Sequence, residues 1–198
     1  YSRKMQEKGM FAFLRLSAWF NVAVLAAVCL YLCYNGLPVI SLEFLTEAPR
    51  NMMTEGGILP CIVGTAILAL GALLIAFPLG VASAIYLNEY AGKTKMAGII
   101  RLGVNNLAGV PSVVFGLFGL SFFVTFLGFG VSILSGVLTL AVLTLPVIIS
   151  TAEEALRSVP DTYREASLAL GAGKAQTIAR VVIPSALPGM LTGAILGV

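Results

Sequence analysis

Histidine is absent from the 198 residues, cysteine occurs three times, tryptophan once, and charged side chains make up only 11%. Without histidine there is no imidazole metal site and no histidine general base. The three thiols, Cys29 and Cys33 one helical turn apart and Cys61 further on, have poor spacing for a disulfide and read as small buried hydrophobes. No G-x-S-x-G and no G-x-x-x-x-G-K-[ST] occurs; GAGK at Gly171 to Lys174 is too short for a nucleotide loop. A soluble domain carries about 25% charged residues. At 59% hydrophobic residues and a mean hydropathy of +0.99, this chain could not cover a soluble surface. It reads as an all-α integral membrane protein.

What is present is a set of long charge-free runs: Leu16 to Leu42, Gly56 to Asn88, Leu102 to Ala152 and Val181 to Val198. A helix needs about 20 residues to cross the hydrocarbon core. The third run has 51 residues, enough for two crossings, and its natural break is LGFG, Leu127 to Gly130. Five spans follow, over about 16–37, 60–87, 103–127, 132–150 and 182–198. The runs lack the alternation of a barrel strand. The last run stops without a flanking charge, so a sixth span is expected beyond it.

Basic residues orient the bundle. With the N-terminus inside, 11 of the 12 lie inside: Arg3, Lys4, Lys8 and Arg15; Lys93, Lys95 and Arg101; Arg157, Arg164, Lys174 and Arg180. Arg50 alone falls outside, among Glu43, Glu47 and Glu55. This is the positive-inside pattern, and it accounts for the net charge of +3 without a nucleic-acid partner.

No Asp, Glu, Lys, Arg or His lies within the five spans. Carriers driven by protons or membrane potential usually hold such groups as relays, so the driving force is expected to enter elsewhere. Prolines do lie there: Pro78, Pro111 and Pro146. Pro111 is about nine residues into its span, roughly 14 Å by helix rise, near the bilayer midplane. Asn105, Asn106, Ser112, Gly109 and Gly116 surround it. One reading is a kinked helix lining a translocation path with neutral dipoles, carried by Asn105, Asn106, Pro111, Ser112 and Gly116. The other is ordinary kinked packing with Ser112 bonded to its own backbone. Gly189, Gly193 and Gly197 form a small-residue stripe in the last run, suited to close helix packing against a partner either internal or in another subunit.

The longest polar stretch lies between the last two spans. SVPDTYREASLALGAG reads as a short helix with Ser158 as N-cap, Pro160 and Asp161 in its first turn, and Tyr163, Ala166 and Leu170 on one face. Gly171 and Gly173 provide its stop, and a second helical segment runs from Lys174 into the membrane near Pro184. Periodicity alone equally allows a helix lying on the headgroups.

Glu165-Ala166-Ser167, three residues, Gly171, nine residues, then Val181-Val182-Ile183-Pro184 resembles the Glu-Ala-Ala loop of the binding-protein-dependent ABC importer permeases. Ser167 replaces the second Ala, and Val181 and Ile183 replace Ile and Leu; the spacing matches throughout. LAGVPSVVFGLFGLSFF (Leu107 to Phe123), FPLGVASAIYLNEYA (Phe77 to Ala91) and the segment from Thr144 to Ala172 are most similar to phosphate-importer permeases of the PstA type, over about Gly57 to the chain end.

The resemblance implies a type I importer permease bundle. Residues 1–15 would be a cytoplasmic tail, 16–57 the first span and an acidic external loop, and 58–198 the permease core with a cytoplasmic coupling loop over 153–180. It also implies a coupling helix docking on a separate ATPase dimer, carried by Asp161, Tyr163, Arg164, Glu165, Ala166, Ser167, Leu170, Gly171 and Gly173. A PstC-like second permease and an external phosphate-binding protein complete the implied assembly, in a bacterial or archaeal cell membrane. ATP and Mg would be used by the ATPase and no cofactor by this chain, which would be a transport subunit and not an enzyme. The substrate implied is phosphate, with another oxyanion as the alternative. An ATP-independent channel or carrier is the rival class, which the loop spacing and the charge-free spans disfavour.

Overall fold

A computed structural model describes residues 2–51, 55–92 and 94–197, without the side chains of residues 2–9 and 12. Arg3, Lys4, Lys8 and Lys93, which enter the charge bias, therefore lie outside the described side chains. The described residues are helical throughout apart from turns and a single antiparallel bridge, Arg50 to Glu55. The chain divides into two units, residues 1–63 and 64–198.

The first unit holds α1 (Ser2–Gly36) and α2 (Leu42–Thr46). Apart from Arg15, Ser17, Asn21 and Asn35, the described side chains of α1 are mostly apolar, and almost all are exposed, among them Leu16, Trp19, Phe20, Leu25 and Leu30. That pattern suits hydrocarbon and not water. Ser41 caps α2 by accepting from the Phe44 amide at 3.0 Å. The acidic loop then folds back: the Ile58 amide donates to the Phe44 carbonyl at 2.9 Å, and Asn51 Nδ2 donates to Glu55 Oε2 at 2.8 Å. Gly57 permits this closure, since a Cβ there would strike the Phe44 carbonyl.

The second unit is built on α6 (Ile133–Ser158), which α3 (Leu59–Ile85), α4 (Lys95–Ala108), α5 (Ser112–Gly119) and α9 (Ile183–Gly197) surround. Small residues set the distances. A Cβ on Gly80 would lie 2.6 Å from Ile148, one on Gly71 would lie 2.7 Å from Val137, and one on Gly119 would collide with Thr139. The stripe on α9 packs on α6: Gly189 faces Ala155, Gly193 faces Thr151, and Gly197 faces Ile148 and Thr144. The descending order on α6 makes the pair antiparallel, and the stripe's partner is internal. Ala84, Ala152, Ala155, Leu156, Val182, Ala186 and Met190 fill the core where α3, α6 and α9 meet.

Among the described residues, four segments are long and apolar enough to span a bilayer: Phe13–Val39, Leu59–Tyr90, Ile133–Ser158 and Lys174–Gly197. Among the same residues a fifth is formed if the bent pair Lys95–Ala108 with Ser112–Phe126, whose axes differ by 97°, counts as one span. This corrects the expectation of one kinked helix over 103–127. The helix ends at Ala108, and Pro111, with φ −57° and ψ 138°, starts a new one as the N-cap of α5. The residue before a proline resists the helical basin, and Gly109 supplies a soft C-cap just ahead of it. Pro78 and Pro146 stay inside α3 and α6, as does Pro188 inside α9. The reversal between Phe126 and α6 falls at LGFG, where Gly128 and Gly130 have φ of +70° and +67°.

The last span is one continuous helical path: α8 (Lys174–Thr177), a π-helical turn over Ile178–Val182, then α9. A similar π turn, Tyr86–Tyr90, extends α3, and another, Leu120–Phe126, extends α5.

Candidate functional site: the polar end of the bundle

The charged residues of the second unit gather at one end, around α7 (Asp161–Ala169). Its start differs from the sequence reading. Ser158 is the last residue of α6 and donates to the Ala155 carbonyl at 2.7 Å; Pro160 is the N-cap, with Asp161 in the first turn. Its end is a Schellman motif. The Ala172 amide donates to the Ser167 carbonyl at 3.2 Å and the Gly171 amide to the Leu168 carbonyl at 3.0 Å. Gly171 has φ +85°, a conformation side chains resist. Gly173 does not take part in this stop; with φ −72° and ψ 158° it is the N-cap of α8.

No residue of α7 is buried. Tyr163 is 52% and Leu170 89% exposed, and Glu165 and Ala166 are exposed as well. The face that Tyr163, Ala166 and Leu170 share is therefore exposed among the described residues. Two polar ties hold the helix instead. Ser167 Oγ lies 2.9 Å from Thr177 Oγ1, a hydroxyl on a residue only 3% exposed. Arg164 reaches in four directions: Nη1 donates to the Val159 carbonyl at 2.8 Å and to Asp161 Oδ1 at 3.1 Å, while Nη2 donates to the Leu156 carbonyl at 2.9 Å and to Glu89 Oε1 at 2.8 Å. The carbonyls of a helix's last turn carry partial negative charge and accept cations well. Here they and a carboxylate with 8% of its surface exposed enclose one guanidinium.

A second ionic group lies beside it. Glu153 Oε1 accepts from Arg101 Nε and Arg157 Nη2, both at 2.6 Å. Arg101 also donates to the Leu87 carbonyl at 2.8 Å and the Gly92 carbonyl at 3.2 Å, tying α4 to the end of α3 and to α6. These charges border a cavity of about 560 Å³, lined also by Asn105, Ser150, Glu154 and Ser158. With Arg101 and Arg157 set against Glu153 and Glu154, its wall is charge-balanced.

Of the five residues read as a translocation path, Asn105 is on this wall. Asn106 lies at the end of α4, its carbonyl accepting from the Gly109 amide at 3.1 Å; Pro111 and Ser112 start α5, and Gly116 has open space where a Cβ would be. All five are exposed, and the 97° bend separates the asparagines from the other three. The depth reckoned for Pro111 along one helix axis no longer applies. The sequence reading missed the ion pairs of Glu89, Arg101 and Glu153; it used Arg101 for the charge bias and gave the two acids no role. Their signal was acids sitting on the basic side of the bundle, where each needs a cationic partner.

A bundle of apolar helices with its charges gathered at one end is the build of a multi-pass membrane protein. Residues 76–198 match the family of binding-protein-dependent transport system inner membrane components, and the chain belongs to that family. Its members are transport components and not enzymes. The chain is 38% identical to the Bacillus subtilis (strain 168) protein named "Probable ABC transporter permease protein YqgI", over 98% of this chain and 66% of that protein. It is 42% identical to phosphate transport system permease protein PstA 1 of Mycobacterium tuberculosis (strain H37Rv), over 77% of this chain and 50% of the relative. It is 38% identical to PstA of Xylella fastidiosa (strain 9a5c), over 82% and 56%. The chain thus spans between half and two thirds of the length of these relatives.

Proposed function

We propose that this chain is a permease subunit of an ATP-driven phosphate importer, lying in a bacterial or archaeal cell membrane with its N-terminus in the cytoplasm. The observation that carries the reading is α7. It is a nine-residue helix with no buried residue, fixed to the bundle by Arg164 and Ser167 and closed at Gly171, in the spacing that ABC importer permeases use to couple to an ATPase. The free face of Tyr163, Ala166 and Leu170 docks on the cytoplasmic ATPase, and Glu165, exposed and outside every ion pair among the described residues, is available to a cation of that partner. ATP and Mg act in the ATPase dimer. Closure of that dimer displaces α7, and the bundle exchanges inward- and outward-open states. Phosphate, delivered by an external binding protein, crosses between this chain and a PstC-like second permease.

The relatives named for phosphate transport support that substrate. In this reading the segment 153–180, which includes the last turn of α6, is the coupling region and residues from 58 onward form the permease core. Neutral donors such as Asn105, Asn106 and Ser112 suit transient passage better than a deep cation, which would hold the anion. Pull-down of the ATPase with wild type and Gly171→Asp tests the docking, and uptake of radiolabelled phosphate with sulfate as competitor tests the substrate. Equal ATPase recovery with both forms removes the docking role. Uptake blocked by sulfate reassigns the substrate.

A further inference from the structure

The end of α3 is where the ties of three other helices arrive. The Glu89 carboxylate accepts from Arg164 of α7, the Leu87 and Gly92 carbonyls accept from Arg101 of α4, and Lys174 Nζ of α8 sits 5.0 Å over the Tyr90 ring. Arg164 joins this junction to α6 as well, through the Leu156 and Val159 carbonyls. By contrast, α7 is joined to its neighbours in sequence only by Val159–Pro160 and by residues 170–173, where the backbone leaves the helical basin. A push on an exposed helix between two short links reaches the bundle only through its lateral ties: Ser167 ties α7 to Thr177 of α8, the segment that follows it in sequence, and Arg164 ties it to α6 and the end of α3.

We propose that the Arg164–Glu89 pair is the tie that carries the push to α3: a rigid strut through which α7, the last turn of α6 and the Tyr86–Gly92 end of α3 move as one body during transport. The inference rests on α7 being the ATPase-docking element, as proposed above. It assigns Arg164 and Glu89 as positioning residues for coupling, distinct from the exposed face that docks. The buried placement favours a strut over a latch that opens in each cycle, since parting the two would leave the Glu89 carboxylate, 8% exposed, without a counter-charge, and Arg164 with only the exposed Asp161.

The test uses the intact transporter, assembled with its partner permease and ATPase in proteoliposomes, with Cys29, Cys33 and Cys61 replaced by alanine. In that background Glu89→Cys with Arg164→Cys is expected to retain the ATPase and hydrolyse ATP, but to lower phosphate uptake per ATP by about tenfold. Bridging the two thiols with a bifunctional reagent of side-chain length is expected to restore at least about half of the parent ratio, which a merely structural role would not allow after folding. Arg164→Lys keeps the charge but cannot span both carbonyls and Glu89 with one ammonium. It is expected to retain the ATPase and lose uptake per ATP several-fold. Normal coupling in the unbridged double-cysteine protein or in Arg164→Lys overturns the strut, as does a bridge that leaves transport uncoupled or that blocks it. ATPase lost from the double-cysteine protein alone also overturns it, because Arg164 would then shape the docking surface. ATPase lost from the cysteine-free parent, or no ATP-dependent uptake by that parent, strikes the importer reading instead.

Discussion

Removing the Glu153 side chain tests whether the polar end of the bundle is held by ion pairs in the order their burial dictates. Glu153 is 10% exposed as a side chain and binds Arg101, 25% exposed, and Arg157, 57% exposed, both at 2.6 Å. Deleting one partner of a buried pair costs about 3–5 kcal/mol, because the remaining charge is stranded. Arg101 keeps two carbonyl acceptors and some contact with solvent, so Glu153→Ala is expected near the lower end, about 3 kcal/mol. The Arg157 arm stands mostly in solvent and is an i,i+4 pair, so Arg157→Ala is expected to cost about 0.5 kcal/mol or less. Arg101→Ala should approach the Glu153 value, since it also frees the Leu87 and Gly92 carbonyls. The double variant lacking Arg101 and Glu153 should cost clearly less than the sum of the two. The assay is unfolding in mixed micelles by dodecyl sulfate titration, read by circular dichroism. If Glu153→Ala falls within about 0.5 kcal/mol of wild type, or Arg157→Ala costs as much as Arg101→Ala, the assignment of the stabilising pair by burial is wrong.

The glycine stripe of α9 makes a steric prediction. Gly193→Ala should cost about 1–3 kcal/mol in the same titration, because its methyl meets Thr151, and Thr151→Ala should recover most of that loss. Gly64→Ala, with nothing within 4 Å, should be neutral or stabilising by up to about 1 kcal/mol. At Gly171, where φ is +85°, alanine should cost about 1–2 kcal/mol and asparagine less; proteolysis of the 159–173 segment should quicken in that order. Ser167→Ala should cost about 1 kcal/mol by leaving the buried Thr177 hydroxyl unpaired, whereas Ser167→Ala with Thr177→Val should be close to neutral; equal losses in single and double variants would discount the hydroxyl pair.

What was legible in the sequence was what one segment decides alone. The charge-free runs located α1, α3, α6 and α9 because lipid excludes charge along a whole crossing. The reversal at Leu127–Gly130 was legible because two glycines there take φ near +70°. The extent of α6 was not. The helix runs eight residues past 150, through Glu153 and Arg157, because its backbone hydrogen bonding does not stop where the apolar residues do. Nor was the break at Pro111. Proline does not by itself decide between a kink and a break, as Pro78, Pro146 and Pro188 inside helices show. The outcome at Pro111 depends on the flanking Gly109 and on α5 seating Gly119 against Thr139 of α6, a contact no local reading contains.

The same division runs through the site. The exposed face of α7 and its stop at Gly171 follow from spacing within a dozen residues. What holds that face in place joins Arg164 to Glu89 across 75 residues and Arg101 to Glu153 across 52. Their use of charge has a physical reason. A helix that docks on another protein must leave its surface free, so it cannot be fixed by burying that surface in its own core. Moderate apolar packing along one side would also let it slide, since dispersion contacts have little directionality. A guanidinium received by two carbonyls and a carboxylate has both direction and strength at the cost of one side chain. Where a membrane bundle presents an exposed helix with no buried residue, the residue to look for is therefore the arginine that faces inward, and its acid is to be sought at the end of another span on the same side.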